Sequence, residues 1–542
     1  MFQSEIKKTK KIGVKRQISN KKQRVHQQKS ERRKEICRKH QKRKENFSDK
    51  GVQLLLFLRQ TLEQYFPDFW EEIKKEIQDP RKKKPKYSIE SIVAAALFLS
   101  LFQEKTRNDF NQLRKEVFFQ KNIQKLFGVS SPHMDTVEDV FRKLPPELLE
   151  KVKAKLVHHL MRRKVFRPFR VFESFYQVVF DATLVHSHTK EHEGTYKVSN
   201  QGFFSITKEV RKALALQGMS HDLLEKMYDF EGQKWKGVEA FYNAISFCFS
   251  SEEWEKWKEH LRKYSGNTTW FSYVLEAKLV TSNGFSISLG SEWIQNEEEY
   301  DKQDCESKAF VRLSKKVKLE FPKLPIMVVA DGLYPNKTVL QQCEKLDWSF
   351  ILVLKDGNLK SLWKEIEALS KLSPKQSLCI QSKDQIQDYS WTQNLEHEGV
   401  TIHFGQCWET ILGEDFEPIK KTKFAYISNQ SLDKNKIKEL ITIGRQRQKI
   451  ENEGFNVQKN HGFALQHKIS RNEQAFKNWY QCIQIAHLLY QLMILARHFQ
   501  QWKGKNTLTY LWKFIVSALA RDCLLEEDVE SIVNQRIQFP YQ

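Results

Sequence analysis

Hydrophobic positions along this chain change their period near residue 172, and that change divides it. From Val52 to about Leu160 they recur at three- and four-residue steps, as in Leu54, Leu55, Leu58, Leu62 and Tyr65, until Phe66-Pro67 breaks the run. That spacing predicts helices. Ser88 is placed to cap a helix over Ile89–Phe102, and Thr136-Val-Glu-Asp139 has the form of a capping box opening Val137–Leu144, closed by Pro145-Pro146. Beyond Phe172 the runs become strand-like. Val178-Val179-Phe180 is a short β-type run ending in Asp181. Trp270–Val280 and Phe285–Ile294 flank Ser282-Asn283-Gly284, and Asn-Gly between two β-rich runs predicts a hairpin. An amphipathic helix over Glu298–Glu320 follows, then the apolar strand Ile326–Ala330 ending in Asp331-Gly332. A helix over Lys337–Leu346 and another apolar strand, Ser349–Leu354, complete the series.

This order predicts a mixed α/β sheet with helical crossovers, whose ligands gather at the carboxyl ends of strands. Asp181 and Asp331 each stand at such an end. Two stretches interrupt the pattern. Lys190–Tyr264 is polar, helical in period and rich in Trp, Glu and Lys, whereas Asp356–Asp433 contains alternating runs such as Val400–Phe404 and Phe424–Ile427 and predicts a β-rich insertion. Phe476–Leu495 has apolar residues at 476, 479, 480, 483, 486, 489, 490 and 493, the spacing of a packing helix. The expected organisation is a basic arm (1–50), a helical N-terminal domain (51–170), an α/β core (171–470, with insertions at about 190–264 and 356–433) and a helical C-terminal region (471–542).

Composition adds a partner. The 542 residues leave room for two to four domains, and a net charge of +23 with a pI near 9.4 points to a polyanion, either nucleic acid or an anionic membrane surface. The most apolar run, Ile92–Phe102, is shorter than the roughly 20 residues a span requires, so it predicts a buried helix and no membrane partner. Met1–Lys50 holds nineteen Lys/Arg and five Asp/Glu, so 19 − 5 gives +14 of the total. With no apolar stretch it is not a secretory signal. It reads as an arm disordered when free, lying along phosphates or only solubilising the chain. Lys82, Lys83, Lys84 and Lys86 form a second basic cluster. The eight cysteines (37, 248, 305, 343, 379, 407, 482, 523) form no CxxC pair, which argues against a zinc module or disulfide framework and fits a reducing cytosol.

The richest chemistry lies in Gly444–Asn460, where Glu451 and Glu453 sit among Arg445, Arg447, Lys449 and Lys459. Carboxylates that hold a cation and bases that hold phosphates account for the mixture; so does a salt-bridged helix face. The two strand-end aspartates favour the first reading. Three carboxylates drawn from two strands and a helix make an oxygen-rich site for Mg²⁺ or Mn²⁺. Two such ions about 4 Å apart activate an attacking oxygen and stabilise the leaving one in phosphodiester cleavage. The group His186-Ser-His188…His192 has no cysteine or well-placed carboxylate to complete a tetrahedral metal set, and predicts a solvated or DNA-contacting loop.

Val178–Thr183 (VVFDAT), Val328–Leu333 (VVADGL) and Arg447-x3-Glu451 together resemble the bacterial insertion-sequence transposases of the DDE class, which have an RNase H-like core. The similarity is to the group with a Tyr-x2-Arg-x3-Glu-x6-Lys signature around the third acid. It covers roughly Phe172 to Phe499, with acid spacings of 331 − 181 = 150 and 451 − 331 = 120. The resemblance implies that Asp181, Asp331 and Glu451 bind two Mg²⁺ or Mn²⁺ ions and that Arg447 contacts phosphate, with Lys449 and Lys459 as further DNA contacts. Gly444 stands where the signature has Tyr, and Gln458 where it has Lys, Lys459 lying one residue further on. Glu453 has Lys449, not Arg, four residues before it, so Glu451 is the preferred third acid. The implied activity is cut-and-paste transposition: binding of terminal inverted repeats, attack by water and then by a DNA 3′-hydroxyl, and a hairpin at the excised end. A homodimer on paired ends, acting on target DNA in the bacterial cytoplasm at the nucleoid, is the implied setting. A nuclease of the same fold without strand transfer, and an inactive DNA-binding relic, stay open as alternatives.

Overall fold

The computed structural model describes residues 50–82, 84–188, 196–198, 203–265, 269–294, 302–372, 376–524 and 537–540. The basic arm 1–49, Lys83 and His192 lie outside them. Among the described residues the strands are, in chain order, β1 (Tyr176–His188), β2 (Tyr196–Val198), β3 (Phe203–Ser205), β4 (Lys234–Lys236), β5 (Thr269–Val280), β6 (Ser286–Ile294), β7 (Ile326–Ala330), β8 (Ser349–Val353), β9 (Ser377–Gln381), β10 (Gln385–His397), β11 (Val400–Leu412) and β12 (Pro418–Ser428).

One large mixed sheet organises the molecule, in the order β6-β5-β1-β7-β8-β12-β11-β10-β9, with short β2 also on β5. β7 and β8 run parallel to β1, and every other pairing in the sheet is antiparallel. The predicted hairpin joins β5 to β6, where Gly284 takes the positive φ (105°) that such a turn requires.

Alternation along the strands separates two cores. Val178, Phe180, Val328 and Ala330 face one way, onto Phe310, Leu313 and Val317 of the helix Lys302–Glu320. Val179, Met327, Val329 and Ile351 face the other way, onto Ile437, Leu440, Ile441 and Ile443 of the helix Lys436–Gln446. The first of these cores also takes in the N-terminal helices and the C-terminal helix Glu473–Ile494, which is buried along most of its length.

Some expectations need correction. Asp181 does not end its strand. β1 runs on for seven more residues because its antiparallel partner β5 continues pairing as far as His188↔Trp270, although the parallel ladder to β7 stops at Val179↔Val329. His186 and His188 are therefore strand residues, not loop residues. Thr136 opens no helix: its helix begins at Met134, where the His133 ring accepts from the Asp135 amide. Ser88 does cap, its side chain accepting from the Ser91 amide ahead of Ile89–Leu101.

The two insertions differ. Residues 203–265 wrap a separate core that includes Phe204, Leu214, Phe241, Trp257 and Leu261. The strands β9–β12 instead extend the main sheet, joined to it where β12 pairs with β8. No helix among the described residues is long and apolar enough to cross a membrane.

Candidate active site

The parallel register decides where the two aspartates meet. β1 and β7 pair Tyr176↔Ile326 through Val179↔Val329, an offset of 326 − 176 = 150. Asp181 and Asp331 are separated by the same offset, so they are opposite neighbours at the end of the shared ladder. Two residues beyond Val179 and Val329, they fall on the face that carries the helix Lys436–Gln446. The spacing read from the sequence is thus the register itself.

Each aspartate is already paired with a base. Asp331 accepts the Leu333 amide at 2.8 Å on Oδ1 and faces the Lys355 ammonium at 3.2 Å on Oδ2. Gly332 makes this possible, because a Cβ there would lie 2.6–2.9 Å from the Cγ, Cδ and Cε atoms of the Lys355 stem. Asp181 Oδ2 lies 3.6 Å from Nη1 of Arg447. Burial pushes the Asp181 carboxyl up to about 6; Arg447 opposes that rise, and the charges of Asp331 and Glu451 add to it. The charges of all three acids therefore meet at Asp181, where burial is the first cause of the rise.

Glu451 comes from a π-helical stretch, Ile450–Asn456, that continues the chain beyond Lys436–Gln446. Such wide turns are frequent at functional sites. Ile450 and Phe455 anchor it in the core, while Gly454 packs against the Ser286 hydroxyl and the Lys278 stem, where a Cβ would sit 2.8 and 3.5 Å away. Glu451 itself is exposed and makes no ion pair among the described residues. Glu453, by contrast, is held by Lys449 at 3.2 Å. The bases expected on DNA thus point inward: Arg447 at Asp181, Lys449 at Glu453, and Lys459 over the Phe455 ring at 5.8 Å.

The two departures from the signature have physical causes. A side chain at Gly444 would collide with Cε1 and Cζ of Tyr426, so a ring from β12 fills the space a tyrosine at 444 would need. Gln458 is fully buried and donates to Gln484 Oε1 at 2.9 Å, with the His487 ring at 3.1 Å. Lys278 of β5 donates to the same Gln484 oxygen at 3.1 Å, and burial pushes its ammonium down to about 8. A second lysine at 458 would crowd a buried cation.

His186 belongs to packing: it is buried, its Nδ1 lies 3.1 Å from the Gln466 carbonyl oxygen, and its ring centroid is 4.7 Å from that of Phe476. His188 is the last residue of β1, and the rest of the predicted histidine group, with His192, lies outside the described residues.

A groove of about 680 Å³ opens between the helix Lys360–Leu372 and the strands β9–β12, lined by Trp363, Trp391, Phe404 and Trp408 with Lys360, Lys364 and Lys423 among the rim residues. The Lys423 ammonium stands 4.2 Å from the Trp363 centroid, and the Trp363 indole donates to the Lys355 carbonyl at 3.3 Å, which ties the groove to the base on Asp331. Neither Lys355 nor the groove emerged from the sequence. Their only trace there is tryptophan and lysine scattered through one insertion.

The donor set is carboxylate oxygen, the type that suits Mg²⁺ or Mn²⁺. Among the described residues no group of three or more His, Cys, Asp or Glu is arranged to hold a metal ion, and Lys355 and Arg447 stand where cations would approach the two aspartates. Fold and site together define a mixed α/β protein with acids and bases gathered at the carboxyl edge of its parallel strands. No protein-family model matches the chain, and no curated protein matches it.

Proposed function

We propose that the chain is a DNA transposase of the DDE class, with Asp181, Asp331 and Glu451 as its metal-binding acids. The observation that carries this reading is the 150-residue register, which sets Asp181 beside Asp331 on the face served by the helix leading into Glu451. Three antiparallel strands, β6-β5-β1, followed by two parallel to β1, support an RNase H-like core.

Bound Mg²⁺ or Mn²⁺ supplies activation of the attacking oxygen and stabilisation of the leaving one. The protein's own part is positioning and positive charge. The buried face holds Asp181 and Asp331 in register, and the π turn presents Glu451, whose charge also meets Asp181. Arg447 and Lys355 supply the charge that phosphoryl transfer needs at its phosphates. The aromatic and lysine groove suits a nucleic-acid strand, since bases stack on rings while ammonium groups follow the backbone. The net charge of +23 favours duplex DNA at both the terminal repeats and the target. A homodimer holding two ends, in the bacterial cytoplasm at the nucleoid, completes the proposal.

Inverted repeats flanking the coding region supply the test substrate. With labelled repeat-end DNA and Mg²⁺, the protein is expected to cleave the end and join it to a second duplex, and Asp331→Ala to bind the DNA without doing either. Cleavage without joining would make it a nuclease of the same architecture. Folded protein that neither cuts nor joins any repeat end would remove the proposal.

A further inference from the structure

Lys355 enters the site from a third strand. It lies two residues beyond the end of β8, crosses Gly332 with its stem and reaches Asp331 with its ammonium, while the side chain stays half exposed. Arg447 stands against Asp181 in the same way from the other side. Both aspartates are thus neutralised by the chain's own cations. A divalent ion at either carboxylate meets a like charge only a few ångströms away, which costs free energy in this partly buried place unless the base has somewhere else to go. The groove supplies that alternative, because Trp363 holds the Lys355 backbone at its edge.

Resting on the transposase reading, we propose that Lys355 is a phosphate-binding residue of the reaction centre, and that Lys355 and Arg447 pass from the aspartates to DNA phosphates as divalent cations bind. DNA and metal then strengthen each other's binding, and linkage makes the two effects equal. The bases act as internal counterions in the free protein and as substrate contacts in the complex. Such an exchange keeps the acids from holding metal before DNA arrives.

Calorimetric titration of the full chain with Mn²⁺, with and without a duplex and with the duplex-only heat subtracted, tests this. The duplex is expected to tighten Mn²⁺ binding about tenfold, and Mn²⁺ to tighten duplex binding by the same factor. Lys355→Gln is expected to bind Mn²⁺ more tightly without DNA and to show weaker coupling. Its slope of log K against log salt for DNA should be lower by about one. Lys355→Arg is expected to restore that slope. Unchanged Mn²⁺ affinity together with an unchanged salt slope in Lys355→Gln overturns the proposal. Wild-type protein that binds no Mn²⁺ under either condition removes the metal-site reading itself. The salt slope then decides separately on Lys355: a lowered slope supports its phosphate contact and an unchanged one overturns it.

Discussion

The two insertions meet the same sheet in opposite ways. Residues 203–264 enclose their own core and carry ten Lys/Arg against ten Asp/Glu. Residues 356–433 share the sheet and carry eight Lys/Arg against twelve Asp/Glu, yet three of those lysines line one aromatic groove. Total charge therefore does not locate the candidate site. What does is mechanical continuity: β12 pairs with β8, β8 leads to Lys355, and Lys355 leans on Asp331. The insertion that is part of the sheet reaches Lys355 through the Trp363 indole, whereas the one with a separate core is expected to be separable from the acids.

The comparison is broken most forcefully from the separable side. Trp257 is 4% exposed within the first insertion's core, and Trp257→Ala is expected to destabilise that region by about 3–5 kcal/mol. Thermal unfolding should then show an early separate transition with Mn²⁺ binding in the remaining fold intact. Loss of Mn²⁺ binding across that early transition would join this insertion to the site.

On the continuous side, the next effect is electrostatic. The folded Asp181 pKa is raised from 3.8 to about 6, so the folded chain binds the extra proton and stability from this group falls as pH rises through that window. Asp181→Asn is expected to remove the fall, stabilising the metal-free protein at pH 8 by up to about 3 kcal/mol and by nothing near pH 3. Urea denaturation across pH would show it, and an equal gain at every pH would exclude the charge as its cause. Gly444→Ala follows, because its methyl group meets the Tyr426 ring. About 2 kcal/mol of destabilisation by urea is expected from overpacking, with much of it recovered in a Gly444→Ala, Tyr426→Leu double variant. The smallest effect sharpens the groove. Trp363→Ala should weaken single-stranded DNA binding by about 1 kcal/mol in an equilibrium binding assay, at the low end for base stacking because Lys423 already covers part of the ring.

Strands were legible where they are apolar throughout, as in Ile326–Ala330, and the hairpin where Asn283-Gly284 marks it. The 150-residue offset that brings Asp181 and Asp331 together was therefore legible, whereas Glu451 was singled out by the resemblance alone. The continuation of β1 past Asp181 was not, since Ala182–His188 is partly polar and is held extended by β5, about ninety residues away in sequence. Nor was the first turn at Met134, where a histidine does the capping that Thr136 was expected to do. Buried polar residues were the deepest blind spot. Lys278 and Gln458 have the composition of surface positions, and only the return of Glu473–Ile494 across the sheet encloses them in an amide network. The pairing of each aspartate with a base was equally hidden, because Lys355 and Arg447 reach their partners through tertiary structure alone.

Asp181, Asp331 and Glu451 are proposed to serve one metal centre that holds two cations. Replacing Mg²⁺ with Fe²⁺ in the DNA-bound protein and generating hydroxyl radicals with ascorbate and peroxide would cut the backbone wherever the ion is held. Cuts beside all three residues, suppressed together by excess Mg²⁺, are the predicted result. Cuts confined to one of the three, or gathered around His186 and His188, would contradict it.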